Sequence, residues 1–196
     1  MGRIKSALEI ALERTSEVKS DKTSITQFEA KQRGKKFANE YLETEGKNIA
    51  DYIKQCPAEQ RSSLQQGLFE TLLSQITLPA SQADQERIDN AGKGLAVVIN
   101  NSRFSALFKQ LAQVLSQYIE ETAQLEELLK RQYAPKLKQK EEELARRLGR
   151  QVRIDPFQDP EFIAFYNQNI NALKANYQSA IDHFREEARR FRANAQ

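Results

Sequence analysis

Apolar residues recur at intervals of three and four along almost the whole chain, the period of an amphipathic helix. Ile4, Ala7, Leu8, Ala11, Leu12 and Val18 form one such stripe and predict a helix over about 3–19. The stretch SDKTS offers capping hydroxyls and a carboxylate, so a second helix is expected over about 24–44, with Ile25, Phe28, Phe37, Ala38, Tyr41 and Leu42 as its apolar positions. Gly46 reads as its stop. A short helix follows over about 48–56, with Ile49, Tyr52 and Ile53 inward, and Pro57 opens the next. Leu64, Leu68, Phe69, Leu72, Leu73 and Ile76 give that helix a wide apolar face, and Pro79 closes it. Ile88, Ala91, Leu95 and Val98 keep the helical period through 80–100, although Gly92 and Gly94 each weaken it by about 1 kcal/mol.

The dominant element is predicted over about 103–148, after a turn and cap at Asn100, Asn101 and Ser102. Its first half carries Phe104, Leu107, Phe108, Leu111, Val114, Leu115, Tyr118, Ile119, Leu125, Leu128 and Leu129, a face broad enough for more than one neighbour. Its second half narrows to Leu137, Leu144 and Leu148, a seam that suits one partner helix. Pro135 lies inside and predicts a kink there, because proline removes a backbone donor and crowds the carbonyl of Arg131. The last helix has the clearest start in the chain: Asp159 at the cap, Pro160 in the first turn, then Glu161. Ile163, Tyr166, Ile170, Leu173, Tyr177, Ala180 and Phe184, extended by Ala188 and Phe191, read as a heptad row. The helix before Gly149 is the neighbour close enough in sequence to take that row, so the two are expected to run antiparallel.

Composition supports an all-α chain with much surface. Charged residues make up 29% and hydrophobic ones 39% of 196 residues, and there are only 7 glycines and 5 prolines to interrupt helices. The formal charge of +3, from 30 basic and 27 acidic residues, does not by itself point to nucleic acid or anionic lipid. The one cysteine, Cys56, cannot form an intramolecular disulfide, which fits a reducing compartment. No apolar run approaches the ~20 residues that span a bilayer, and the N-terminus is periodic rather than continuously apolar. The expected setting is the cytoplasm.

The chemistry of known site types finds little to use. His183 is the only histidine and sits beside the row residue Phe184, where a surface or seam-edge role is expected. Together with Cys56 it falls short of the four ligands of a structural zinc site. No Glu-x-x-His pair occurs to hold carboxylate-bridged iron. The AGKG stretch at 91–94 lacks the strand, the spacing and the Ser/Thr of a phosphate loop, and close helix packing explains it better. Glu141, Glu142 and Glu143 read as a solvated helix face. No catalytic residue, cofactor site, metal site or small-molecule substrate is therefore expected, and the protein is read as not an enzyme.

What remains is the loop GRQVRIDPFQDPEF. Gly149 suits the left-handed conformation that ends a helix, Pro156 and Pro160 block helix propagation, and Asp159 restarts it. These residues explain a reversal of direction. They leave Val152, Ile154, Phe157, Phe162 and Phe165 unexplained. Either these side chains fold over one another and seal the end of the seam, or part of the cluster stays exposed and docks on a partner, rimmed by Arg147, Arg150 and Arg153. On the second reading the partner-binding residues are Val152, Arg153, Ile154, Phe157, Phe162 and Phe165. A different use of the same region is nucleic-acid binding along a basic flank, through Lys138, Arg146, Arg147, Arg150 and Arg153, although interleaved acids blunt that field.

The stretches IKSALEIALERT and KQKEEELARRLGRQVRIDPFQDPEF resemble an uncharacterised bacterial family of all-helical proteins with no assigned function. The resemblance implies a helical protein and transfers no catalytic or binding residue. The combined expectation is an all-α helical bundle with a long projecting antiparallel coiled-coil hairpin. Residues 1–20 form an N-terminal amphipathic helix, an arm or a part of the bundle. Residues 21–133 form the bundle, and 134–196 the distal hairpin, with its tip at 149–159 and its last helix returning to the bundle. Such a protein is expected to serve as a scaffold, adaptor or stalk for protein partners, including further copies of itself.

Overall fold

A computed structural model describes the backbone of residues 7–44 and 46–194 and the side chains of 23–44 and 46–194. The described residues form six α-helices and no strand: α1 (Ala7–Glu43), α2 (Ile49–Gln55), α3 (Ala58–Ser74), α4 (Gln82–Ile99), α5 (Ser102–Leu148) and α6 (Pro160–Asn194), with a 3-10 turn at Pro156–Gln158. Contacts group them into two units. The first holds α1, α2 and α3 with Asn90–Ser102, and the second holds Thr77–Asp89 with Arg103–Asn194.

In the first unit the sequence reading divides 3–19 from 24–44, whereas α1 runs unbroken through Ser20–Thr23. Neither glycine nor proline occurs there, and Ser, Asp and Thr inside a helix cost only some tenths of a kcal/mol each. Capping residues permit a boundary without forcing one. Ile25 and Phe28, apolar positions of the expected second helix, are 57% and 62% exposed. The contact of α1 begins one turn later, at a stripe of small residues: Ala30, Gly34 and Ala38 are all buried. It meets Leu64, Gly67 and Leu68 of α3 at backbone distance. A Cβ placed on Gly34 would lie 2.2 Å from the Leu64 carbonyl oxygen, and one on Gly67 would lie 2.0 Å from that of Lys31. Glu70 ties the crossing from α3, 2.7 Å from Lys31 Nζ and 3.4 Å from Lys35 Nζ. Phe37 stacks on Tyr52 with ring centroids 3.7 Å apart, and Asn48 caps α2 by accepting the Ala50 N–H at 2.9 Å. Gly94 faces Ile49, Leu72 and Tyr41, so the AGKG stretch is a helix packing point, as its sequence context suggests. Whether the first turns of α1 pack on the same chain or another concerns side chains outside the described residues.

In the second unit α5 and α6 pack against each other. Their ring contacts run in opposite order along the chain: Phe104 with Phe184 and Phe191, Tyr118 with Tyr177, Tyr133 with Phe162. The buried row of α6 is Phe162, Ile170, Ile181, Phe184 and Ala188. It departs from the expected row at Ile163, which is 38% exposed and yields its place to Phe162, and at Ala180, which yields to Ile181. On α5, Leu128 and Leu148 are exposed rather than buried, and Tyr133 joins the core. Pro135 lies inside α5, and the helix continues through it to Leu148.

Candidate functional site

The end of the α5–α6 pair is built by four carboxylates, each spent on the backbone or on a cation. Gly149, with φ +64°, ends α5 in the left-handed region. The chain then runs back, and the Ile154 N–H donates to Glu141 Oε1 at 2.8 Å. Asp155 accepts the Phe157 N–H at 3.0 Å and so caps the 3-10 turn. Asp159 does two jobs with its two oxygens. Oδ1 accepts the Glu161 N–H at 3.0 Å, capping α6, and Oδ2 receives Lys140 Nζ at 2.7 Å and the Tyr133 hydroxyl at 3.0 Å.

Glu161, just past the cap, closes the cluster. Its Oε2 lies 2.7 Å from Lys136 Nζ and 3.0 Å from Lys140 Nζ. Lys140 also donates to the Tyr133 hydroxyl at 3.3 Å, so its three N–H groups have three acceptors. The hydrogen bond from Lys136, then that from Lys140, pulls the Glu161 carboxyl down to about 2. Asp159 is held below the usual carboxylate range by Lys140, and Lys140 is raised above the usual lysine range chiefly by Asp159. Burial raises the Tyr133 hydroxyl. Every group is held in one ionic form across neutral pH, and the ammonium has no proton to spare. This is a clasp between two helices, poorly suited to general acid or base work, which needs a group poised near the working pH.

Under the clasp lies an aromatic cluster. Phe162 is fully buried against Leu129 and Tyr133, with Phe165 and Tyr166 at its margin. Phe157 stands edge-on to Phe162 and to Tyr166, each at 5.3 Å, and Lys130 Nζ sits 5.4 Å from its ring centre. It remains 40% exposed. On the flank of the pair, Lys140, Glu143, Leu144, Arg147, Ile154, Gln158, Asp159 and Pro160 line a cleft of about 290 Å³.

The two sets of residues named from sequence are placed as follows. Phe162 is core, Phe165, Val152 and Ile154 are half-buried, and Phe157 and Arg153 are exposed. Lys138, Arg146, Arg147, Arg150 and Arg153 are all exposed. The structure thus joins Ile154, Phe157 and Phe162 to one tip. It also brings in Tyr133, Lys136 and Lys140, which the sequence reading does not join to the tip, and Glu161, read there only as part of the helix start. Tyr133 and Lys140 continue the row Leu125, Leu129, Leu137 and Leu144 at helical spacing, so the signal is present in the period. Among the described residues no group of three His, Cys, Asp or Glu side chains is disposed to hold a metal ion, and no helix is long and apolar enough to cross a membrane. His183 is exposed, and Cys56 is buried at the end of α2.

One family model, described as a family of unknown function (DUF6657), matches residues 50–190, well over half of the chain. No curated protein and no solved structure matches.

Proposed function

The chain belongs to the DUF6657 family, and we propose that it acts without catalysis, as a scaffold or adaptor whose α5–α6 pair is an antiparallel coiled-coil hairpin presenting its tip to protein partners. The observation that carries this reading is the division of the tip into a fixed base and an open rim. In the base, Asp159 and Glu161 tie α6 to Lys136 and Lys140 of α5. The rim leaves Leu148, beside Arg147 at the end of α5, 56% exposed, and Phe157, beside Lys130, 40% exposed. Apolar side chains kept in water beside a charged border are characteristic of a contact surface.

A photo-crosslinking residue placed at Arg153, and in a second variant at Lys109, tests this in cells that make the full-length protein. Adducts of defined mass are expected at 153, absent at 109, and lost when Phe157→Ser is added. No adduct at 153 above the level at 109 would sink the proposal.

A second reading uses the same rim for nucleic acid, favoured by the exposure of all five cations Lys138, Arg146, Arg147, Arg150 and Arg153. It requires binding to mixed DNA or RNA that falls steeply with salt. Absence of binding at low salt removes it.

A further inference from the structure

We propose that the partner of the tip is an acidic peptide segment carrying one apolar anchor, which seats in the cleft between Leu144, Ile154 and Pro160. The inference rests on the protein-presenting role proposed above and names the chemistry of what is presented to.

Charge on the tip is lopsided in a way that the overall balance hides. Between Glu143 and Asp155 the sequence holds Arg146, Arg147, Arg150 and Arg153 and no acid. Of the acids on either side, four are engaged within the fold, while Glu142 and Glu143 are exposed. Glu141 takes the Ile154 N–H, Asp155 takes the Phe157 N–H, and Asp159 and Glu161 take Lys140 and Lys136. Among the described residues the four guanidinium groups have no ion-pair partner, and Arg146 and Arg147 gain only the favourable place of cations in the last turn of α5. Arginine favours carboxylates because its planar fork bonds both oxygens at once.

The cleft supplies the second half. Leu144, Ile154 and Pro160 make apolar walls, and Arg147 stands on its border. Its volume, about 290 Å³, suits a single large apolar side chain or a short piece of chain. A nucleic-acid backbone offers nothing to fill apolar walls, whereas an acidic peptide with a leucine or phenylalanine satisfies walls and rim together. Glu143 also lines the cleft, which disfavours a densely acidic segment directly at its mouth and places the acids of the peptide beyond the anchor, towards Arg150 and Arg153.

The test is selection of random twelve-residue peptides on the intact protein, with the Arg147→Glu, Arg150→Glu double variant as a parallel target. Enrichment of peptides with two or more acids near a large apolar residue is expected. Their affinity should fall at least tenfold on the double variant and on Ile154→Asp, with the helical circular dichroism of both unchanged. Binding should also weaken between 50 and 300 mM salt. Enriched peptides that lack acids, or that bind the variants equally well, would overturn the acidic chemistry while leaving a protein-binding tip in place. Recovery of no tip-dependent peptide, with firm binding of duplex DNA or of vesicles containing phosphatidylserine, would overturn it as well and replace the partner class. Loss of the Arg153 crosslink, in contrast, bears on the underlying role and not on this chemistry.

Discussion

Lys140 Nζ lies 2.7 Å from Asp159 Oδ2, so the cap of α6 and a lysine two turns from the end of α5 share one ion pair. The carboxylate of Asp159 is almost wholly buried, and removing its cation strands a charge. For Glu161, whose pKa falls from 4.5 to about 2 on folding, the stabilisation is complete above about pH 4.5 and is lost as pH falls towards 2. Asp159 acts in the same direction. Lys140, raised on folding, keeps its contribution until pH climbs past the ordinary lysine range. Lys140→Met should therefore melt below the parent by a wide margin at pH 6, and the gap should close towards pH 2. A gap independent of pH, read by thermal melts from pH 2 to 7, would show that the clasp contributes packing alone.

Phe162 and Phe157 are neighbours with opposite exposure. Phe162→Ala should cost about 3–5 kcal/mol, the range for deleting a buried phenylalanine. Phe157→Ala, at a ring already 40% in water, should cost about 1 kcal/mol, roughly the worth of its edge-on ring contacts. Urea titrations of the two variants check both. Equal losses would mean that Phe157 is a structural plug and would weaken its assignment as a contact residue.

The bare-backbone crossing of α1 and α3 makes Gly34 and Gly67 intolerant of a methyl group. Alanine is ordinarily better than glycine inside a helix by about 1 kcal/mol. Here the new Cβ would meet backbone oxygens, which cannot rotate away. Gly67→Ala and Gly34→Ala should each destabilise by about 1–3 kcal/mol or more. At Gly94 the nearest atoms are the flexible ends of Ile49 and Leu72, and Gly94→Ala should stay within about 1 kcal/mol of the parent, the propensity gain offsetting the crowding. Denaturant midpoints of the three variants, compared at constant slope, decide the order.

Ile25 and Phe28 stand in water on a continuous helix. We expect this face to support self-association, with Ile25→Glu plus Phe28→Glu shifting the sedimentation coefficient to that of a monomer. A monomer at every concentration for the parent protein would refute it.

The helical class, the α5–α6 reversal and its punctuation were legible, because period, glycine and proline act locally. Gly149 and Asp159 do what their types imply. Side-chain facing was less legible where two candidates sit next to each other. Phe162 and Ile163 are both apolar, and only the partner helix decides which turns inward. Tyr133 and Lys140 were hidden for a related reason. A polar residue on an apolar row reads as an interruption until its acceptors, Asp159 and Glu161, are brought across from a segment 19 to 28 residues away. Gly34 and Gly67 raised no alarm, since a helical glycine shows its purpose only beside the backbone it admits.

That glycine contact also dictates how the molecule can be cut. α1 precedes the residues that the family model matches, yet Lys31, Gly34 and Lys35 roof the trough between Leu64 and Leu68. A fragment trimmed to 50–190 would lay that trough bare, with Glu70 deprived of both lysines and Tyr52 of its stacking mate. Shortened versions meant for crystallisation or labelling should begin no later than the turn before Ala30, or they will carry a sticky furrow of their own making.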